Sequence, residues 1–588
     1  MKLKKILAVV LAMALLCMTF AACGDSSGSS SSSAASTGSE SSATSEAGES
    51  STADEGAAAE GTAFEPYTVD DSKNLNVWAS MEPTGLNSML STYAIEFNIL
   101  GHIYENLYVL DENDVPQPGA AESVDVSDDG TVYTFHLRED GIWSNGDPVT
   151  ANDFSFAWQT VLTDTTASDY AYMLFFIQNA EAYLNGKCEW EDVGVKVIDD
   201  YTLEVTLTQA LPYAEHLFTF GTMAPVNQSF YEEVGADMYA TETEYFCTNG
   251  PFALTEWSHN SQIVLQKNDA FHGAGDIQVE QLTMKIITDG QAALTSLMSG
   301  ELDYTDLTTG ELVTQAEASG YDVTSYSDGA SFYMMVNCGN EYLSNVNLRR
   351  ALALGFDKQA LIDTVFQNEN MPMTSFTAPA VDGYDATSFQ EALNAKDGDL
   401  YPANGDVTQA QEYLNTALEE LGITLDELNG QLSIDCGDSS SSQAEAAFYQ
   451  EQWRQNLGLE VTINPMITKQ GADNRQNGNY CLSITGWSPD YNDPMTFLDM
   501  WVTDGGNNDT RWGSEEYDAL IDSATNETED LAARQEYFYQ AEEILADQYI
   551  ILPSYWRSAS YTYNTNKILG GLRNTTFQTN FAYVELAA

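Results

Sequence analysis

The chain has few basic residues and few histidines, which excludes two classes of partner and most metal sites. Its 588 residues include 21 Lys and Arg against 89 Asp and Glu, so the formal net charge is −68. A field of that sign repels nucleic acid and anionic lipid head groups. The five histidines are scattered, and none pairs with another at the spacing of metal ligands. We therefore predict no nucleic-acid partner, no metal and no cofactor.

Cysteine is also scarce, and the motifs of common hydrolases are missing from residues 66–588. Of seven cysteines, five lie in this part of the chain, widely spaced and without a CxxC pair. This pattern argues against a disulfide framework or a zinc site. There is no GxSxG and no HExxH in this range. A secreted hydrolase that uses paired carboxylates stays open as an alternative, but no pair stands out, so we predict a non-enzyme.

Long apolar runs are missing except at the start, where the pattern is that of an export signal. Three lysines precede the apolar run of residues 6–16, which is too short to span a membrane comfortably. The following Ala-Ala-Cys-Gly resembles a bacterial lipobox and makes Cys23 the lipidated residue. We predict a lipoprotein signal peptide over 1–22, then the lipidated Cys23 and a disordered Ser/Ala/Gly/Glu linker over 23–65. Ordinary secretion with cleavage after Ala22 is the alternative.

The rest of the chain has the composition and patterning of a folded protein. Hydrophobic content of 43 % and aromatic content of 11 % exclude a wholly disordered chain. Residues 75–79 predict a strand, and the apolar stripe from Ile95 to Leu107 predicts a helix. Thr150 and Asp153 have the spacing of a capping box that starts another helix. Strands and helices alternate in this way to the end, which favours an α/β protein of several lobes.

The most informative stretch is Gly486 to Trp501, with the sequence GWSPDYNDPMTFLDMW. It follows an alternating strand predicted over residues 480–484. Loops at strand ends are where α/β proteins place ligand-binding groups. The two prolines fix their φ angles, so we expect the loop to hold one shape. An acidic, solvated loop without a ligand is the alternative interpretation.

This stretch resembles the ligand loop of the oligopeptide-binding proteins of bacterial ABC importers, a peptide- and nickel-binding family. The shared pattern is an aromatic residue, two residues, Asp-Tyr-Asn, an acid and Pro, followed by Phe-Leu. Other family motifs occur in the family's order from Leu75 to the C-terminus: W-x-x-G-x-P-V-T-A-x-D at 143–153, N-G-P-F at 249–252, G-E-L-D at 300–303 and the helix at 345–352, where Asn345 replaces the usual Asp.

The resemblance implies a set of binding residues. Asp490 matches the aspartate that receives the free amino terminus of the bound peptide, and Trp487 matches the pocket aromatic. Ser488 stands where a well-studied member has a disulfide-forming cysteine, so that bridge should be absent. The full set of predicted ligand-binding residues is Asp490, Trp487, Ser488, Tyr491, Tyr93, Ala94, Ile95 and Tyr555. Tyr93 to Ile95 match the place where the family's backbone pairs with the peptide.

The resemblance also implies a fold and a function. The expected fold is α/β, two-lobed and periplasmic-binding-protein-like, with discontinuous lobes, an extra subdomain and hinge closure on the ligand. The expected parts are a first lobe (66–107, 222–329 and 558–588), an extra subdomain packed on it (108–221) and a second lobe (330–557).

The implied function is a monomeric lipoprotein on the outer face of the bacterial cytoplasmic membrane. It would capture oligopeptides and deliver them to the permease subunits of an ABC transporter. A peptide-sensing receptor without transport, or a family member for a dipeptide, a nickel complex or a sugar, stays open.

Overall fold

The structure, a computed structural model, describes residues 62–385, 387–576 and 578–587. The predicted signal peptide, Cys23 and the linker as far as residue 61 therefore lie outside the described residues. The strands are β1 (Asn74–Ala79), β2 (Tyr108–Leu110), β3 (Pro116–Pro118), β4 (Ala121–Val126), β5 (Val132–Leu137), β6 (Val195–Asp199), β7 (Thr202–Thr206), β8 (Phe252–Ser258), β9 (Gln262–Lys267), β10 (Gln281–Ile286), β11 (Tyr304–Asp306), β12 (Val323–Val336), β13 (Met371–Pro372), β14 (Ser433–Gly437), β15 (Thr462–Met466), β16 (Leu482–Trp487), β17 (Ile551–Tyr563), β18 (Ile568–Gly570), β19 (Arg573–Asn574), β20 (Thr579–Asn580) and β21 (Glu585–Leu586).

The α-helices of the same residues are mostly short. They are α1 (Ala94–Ile103), α2 (Ala151–Val161), α3 (Ala180–Leu184), α4 (Ala214–Leu217), α5 (Gln228–Val234), α6 (Gly290–Ser299), α7 (Gly310–Ala318), α8 (Val346–Leu354), α9 (Lys358–Leu361), α10 (Phe389–Asp397), α11 (Val407–Leu421), α12 (Leu425–Leu428), α13 (Ser440–Leu457), α14 (Thr468–Gln476), α15 (Met495–Leu498), α16 (Glu515–Asn526) and α17 (Leu531–Gln548). Within the described ranges, no helix has both the length and the apolar content to cross a bilayer.

One mixed sheet of eleven strands organises the described chain. Ten strands follow the order β15-β14-β16-β12-β17-β11-β1-β10-β9-β8, and β13 pairs with β17. Parallel pairs occur on both sides of the centre of the sheet. On one side β14 pairs with β15 and β16, and on the other side β1 pairs with β10 and β11. The central ladders are antiparallel. The sheet thus consists of two α/β halves that meet at β12 and β17.

β12 and β17 are unusually long and physically join the two halves. They contain 14 and 13 residues, against roughly five or six for an average strand. Their antiparallel pairing is interrupted between Ser327 and Ser331, where Gly329 has a φ of 71°. Beside this bulge Arg557 Nε donates to Asp328 Oδ2 at 2.6 Å. An irregularity in otherwise continuous strands increases the local twist and bend.

A second, four-stranded antiparallel sheet, β4-β5-β7-β6, lies apart from the main sheet in the hydrogen-bonding pattern. Its inner face is apolar and packs on α2, with Phe135 of β5, Leu203 of β7 and Trp158 of α2 all fully buried. The rings of Phe135 and Phe218 meet edge to face, with centroids 4.9 Å apart. This sheet carries the segment that contributes to the candidate site.

Local signals in the sequence account for several helix starts. The predicted capping box is confirmed: α2 begins after Thr150, whose N–H donates to Asp153 Oδ2 at 2.8 Å. The indole of Trp143 donates to the same oxygen at 3.1 Å, so this family motif is structural. Asn345 caps α8 by accepting from Leu348 N–H, because an amide oxygen serves as well as a carboxylate at this position.

Two predicted boundaries differ from the structure. α1 ends at Ile103, because Tyr104 already has extended backbone, and Leu107 lies beyond the helix. The strand predicted over 480–484 is β16, which begins at Leu482 and continues to Trp487. Sequence periodicity marks the existence of these elements better than their ends.

We predict that Gly329→Ala destabilises the fold more than Gly320→Ala. Both glycines have positive φ, so each substitution costs about 1 kcal/mol of backbone strain. A Cβ at Gly329 would also lie 2.8 Å from Pro489 Cγ, whereas a Cβ at Gly320 meets no atom within 4 Å. Overpacking adds roughly 1–3 kcal/mol. Chemical denaturation of both variants measures the difference, and equal losses would contradict the prediction.

Candidate ligand-binding site

The stretch predicted to bind a ligand, Gly486 to Trp501, begins inside strand β16. β16 continues through Gly486 to Trp487, which pairs with Ser331 of β12 next to the bulge. The Trp487 indole N–H donates to the carbonyl of Thr496 in α15 at 2.9 Å. Trp487 is thus fixed both by the ladder and by a side-chain hydrogen bond, and the loop begins at Ser488, two residues later than expected.

Hydrogen bonds hold the turn that follows. Asp490 N–H donates to Thr496 Oγ1 at 2.9 Å, and Met495 N–H donates to Asp493 Oδ1 at 2.9 Å. Pro489 is buried and Pro494 precedes α15 with a φ of −56°. These contacts use the backbone of Asp490 and leave its carboxylate available.

One of the three acids in the stretch is neutralised within the protein. Arg534 of α17 binds Asp493 with two hydrogen bonds of 2.6 and 2.9 Å, and both side chains are nearly buried. The guanidinium also lies over the rings of Tyr213 and Phe538, at 5.3 and 4.7 Å from their centroids. A two-pronged, stacked pair of this kind fixes the geometry of both partners.

Asp490 has no such partner. The hydroxyl of Tyr172 lies 3.5 Å from its Oδ2, and among the described residues no Lys, Arg or His forms an ion pair with it. Burial, followed by the negative charge of Asp499, raises the pKa of Asp490 well above its usual range. Tyr172 is 318 positions away in sequence and belongs to the segment that carries the second sheet. Asp490 is therefore half-buried and lies against a distant part of the chain.

Asp499 is the second uncompensated acid. Burial, and then the charge of Asp493, raises the pKa of Asp499 to about 7. The ring of Tyr491 stacks on that of Tyr213, with centroids 4.9 Å apart and an interplanar angle of 9°. Asp499 raises the pKa of Tyr491 beyond the effect of burial. Aromatic rings attract ammonium ions to their faces, and a carboxylate without a cation partner can bind one by charge.

The chemistry of the site follows from its charges. Enclosed carboxylates without partners are costly, and they either hold a proton or bind a cation. The stretch therefore offers a wall that can bind a cation. This favours a ligand-binding interpretation over the solvated acidic loop.

The other predicted ligand residues are in different surroundings. Ser488 is exposed and Tyr491 is buried in the stack already described. Tyr555 is also buried, stacked on Phe332 at 5.1 Å, with Phe366 on it at 4.6 Å. The structure thus places Tyr555 in the hydrophobic core of one half of the sheet, and its contact with a ligand stays a prediction.

Tyr93, Ala94 and Ile95 lie at the start of α1. Ala94 and Ile95 form its first turn, and only Tyr93 is extended. The Tyr93 N–H donates to the carboxylate of Glu96 at 3.3 Å, and its carbonyl accepts from Glu96 N–H and Phe97 N–H. These groups of Tyr93 serve the start of the helix. Contact of the three residues with a peptide stays a prediction.

Three residues of the site were not predicted from the sequence: Tyr172, Tyr213 and Arg534. Nothing near them in the sequence marks them, since each reaches the stretch only through the tertiary fold. Asp499 was visible in the stretch, and its distinguishing property, the lack of a cation partner, needs the structure.

Two α/β halves joined by two long strands, with an uncompensated carboxylate enclosed by distant segments, define a two-lobed binding protein. The chain matches the family described as Bacterial extracellular solute-binding proteins, family 5 Middle, over residues 115–509, more than half its length. It is 32 % identical over 510 residues to "Oligopeptide-binding protein OppA" of Bacillus subtilis (strain 168), covering 84 % of this chain and 90 % of that protein. The chain belongs to this family of solute-binding proteins, which confirms the resemblance.

Solved structures confirm the two-lobed fold. The substrate-binding domain of an oligopeptide ABC transporter from Bacillus anthracis str. Ames has a TM-score of 0.81 and 31 % identity, covering 89 % of this chain and all of that one. OppA of Listeria monocytogenes bound to peptide has a TM-score of 0.79 and 31 % identity, covering 88 % and all of that chain. An unliganded open form of MppA, a periplasmic murein tripeptide binding protein, has the same fold, with a TM-score of 0.59, 24 % identity and coverage of 88 % and 96 %.

We predict that Asp499→Asn stabilises the ligand-free protein more at pH 8 than at pH 5. The folded-state pKa of about 7 exceeds the unfolded value near 3.9, so the folded state binds more protons between these values. The contribution of Asp499 to the stability of the wild type therefore falls as the pH rises from about 4 through about 7. Asn carries no proton to lose, and the gain at pH 8 is on the order of a few kcal/mol. Thermal unfolding at both pH values measures this, and a pH-independent difference would contradict it.

Proposed function

We propose that the protein captures oligopeptides by binding their free amino terminus at Asp490 and delivers them to the permease of an ABC importer. The observation that carries this proposal is the half-buried carboxylate of Asp490, which has no ion-pair partner among the described residues. The backbone of the same residue is held in place, because its N–H donates to Thr496 Oγ1. The relatives named above as oligopeptide-binding proteins support the choice of ligand.

The physical argument concerns desolvation of the amine. A peptide α-amine has a pKa near 8 and is largely cationic at neutral pH. Enclosure removes its water, and an unpaired buried charge is costly. The fixed carboxylate of Asp490 offsets that cost and determines which end of the peptide lies there, while Trp487 excludes water beside the first residue. We also propose that the peptide backbone pairs with strands of the protein, and we assign no particular strand to this role.

Capture requires the site to open. We propose that the first lobe comprises 66–107, 222–329 and 558–588, the extra subdomain 108–221 and the second lobe 330–557. The lobes then rotate about the irregular part of β12 and β17. Opening would separate Tyr172 and Tyr213 of the subdomain from Asp490 and Tyr491 of the second lobe.

We predict that Asp490→Asn weakens binding of free-amine peptides by roughly 2–5 kcal/mol, the range for removing one partner of a buried charge pair. This is a loss of roughly thirty-fold to several thousand-fold in affinity. N-acetylated peptides should bind wild type poorly and lose far less in the variant, because the amine interaction is already gone. Calorimetry on the four combinations of protein and peptide measures the coupling.

Two controls accompany this experiment. Thermal unfolding of Asp490→Asn separates a binding defect from a folding defect, and dipeptides test the length of the ligand. If free-amine and acetylated peptides bind wild type equally well, Asp490 does not anchor the amine.

The proposal also places the protein outside the cell, as a monomer attached through lipid on Cys23 to the outer face of the cytoplasmic membrane.

We predict that Cys23→Ser removes the acylation site, so that the protein is released to the medium or retains its signal peptide. Partition into detergent, with Cys17→Ser as the matched control, measures anchoring. Wild-type partition of Cys23→Ser would refute the lipid anchor.

A further inference from the structure

Four aromatic rings form a continuous cluster that begins at Asp490. The hydroxyl of Tyr172 lies 3.5 Å from Asp490 Oδ2. The ring of Tyr170 is tilted against that of Tyr172, with centroids 5.6 Å apart, and it stacks on the ring of Phe220 at 5.4 Å. Phe97 meets Tyr170 edge to face at 5.6 Å and contacts Phe220 at 4.8 Å. We call Phe97, Tyr170, Tyr172 and Phe220 the aromatic cluster.

Three separate segments of the chain build the aromatic cluster. Phe97 belongs to α1, and both tyrosines lie at the start of the short 3₁₀-helix Ala171–Leu174. Phe220 directly precedes a second short 3₁₀-helix, which begins at Gly221. A Cβ on this glycine would overlap the ring of Phe97, so the ring packs directly on the backbone there. The position of the cluster is therefore set by the fold.

The protein covers the aromatic cluster only in part. All four rings pack against the hydrophobic core, yet each of them is half-buried. Phe154 and Phe218, from the same part of the chain, are by contrast fully buried. Large apolar side chains gain free energy when their remaining surface leaves water. Four neighbouring rings with uncovered surface thus offer an apolar contact area beside the carboxylate of Asp490.

We propose that the aromatic cluster binds the side chain of the ligand's first residue, so that the protein prefers peptides that begin with an aromatic residue. This inference rests on the proposed function, in which Asp490 binds the α-amine of that residue. The first Cβ lies about 2.5 Å from the amine nitrogen, because only two covalent bonds separate them. The first side chain therefore starts next to the Tyr172 hydroxyl, at the edge of the cluster. An aromatic ring there gains pairwise ring contacts in addition to the area that it buries.

The same geometry makes the preference specific for one position of the peptide. Successive side chains of an extended chain point to opposite sides. When the first side chain lies on the aromatic cluster, the second points away from it. A phenylalanine in second place therefore gains none of these ring contacts.

The test compares Phe-Ala-Ala-Ala with Ala-Phe-Ala-Ala, which have the same composition and charge and differ only in the position of the ring. Calorimetry is carried out with wild type, Tyr170→Leu, Phe220→Leu and Tyr183→Leu. Tyr170 is the residue whose ring contacts all three others of the cluster. Tyr183 is the matched control, a half-buried tyrosine of α3 whose ring meets that of Trp190 at 5.3 Å.

We expect wild type and Tyr183→Leu to bind Phe-Ala-Ala-Ala on the order of tenfold more tightly than Ala-Phe-Ala-Ala. Tyr170→Leu and Phe220→Leu should each reduce this preference by roughly two- to tenfold, the affinity equivalent of one aromatic pair. Both variants should bind Ala-Phe-Ala-Ala as wild type does, which also shows that they are folded. If one of them loses its thermal unfolding transition, the other decides the test.

The outcomes separate this inference from the proposed function. If wild type binds neither peptide, the proposed function itself fails. If wild type binds both peptides equally, the inference is overturned without recourse to any variant, and peptide capture at Asp490 is unaffected. A preference that persists undiminished in folded Tyr170→Leu and Phe220→Leu also overturns it, because the ring is then recognised elsewhere.

Discussion

The antiparallel pairing of β12 with β17 is the constraint on which the other features depend. It is the place where the two halves of the sheet exchange backbone hydrogen bonds, and it extends well beyond the length of an ordinary strand. The interruption between Ser327 and Ser331 is adjacent to the ligand stretch, since Ser331 pairs with Trp487 and Gly329 approaches Pro489. The irregular backbone therefore lies in the same region as the candidate binding residues. A change in the bend of β12 and β17 must move the candidate site.

Charge distribution decides what this region can bind. Arg534 neutralises Asp493 and stacks on Tyr213, which connects α17, the ligand stretch and the segment of the second sheet. The remaining acids are enclosed without a cation, and the surrounding rings supply no positive charge. Charge without a partner is costly in such a place, and this is the physical reason for proposing a cationic ligand.

The sequence predicted the class of fold well because its signals are local. Thr150 with Asp153 and Asn345 with Leu348 mark helix starts through contacts within three residues, and these were correct. Leu107 was assigned to α1 because apolar spacing continues past the point where Tyr104 turns extended. The site was predictable only in part. Asp490 and Trp487 came from the family motif, whereas Tyr172 and Arg534 are brought in by packing over tens to hundreds of residues. Ala94 and Ile95 lie in the first turn of α1, and their contact with a peptide stays a prediction.

The position of β17 has a consequence for the order in which the protein folds. β17 lies between β12 and β11 in the sheet, yet it follows both in the chain and is separated from β12 by residues 337–550. Until β17 has been synthesised, β12 lacks one neighbour and β11 lacks its link to the other half, so the central sheet cannot be completed. A nascent chain with an unfinished sheet stays unfolded longer, and an export machinery that threads unfolded chains can then accept it before the two halves are joined.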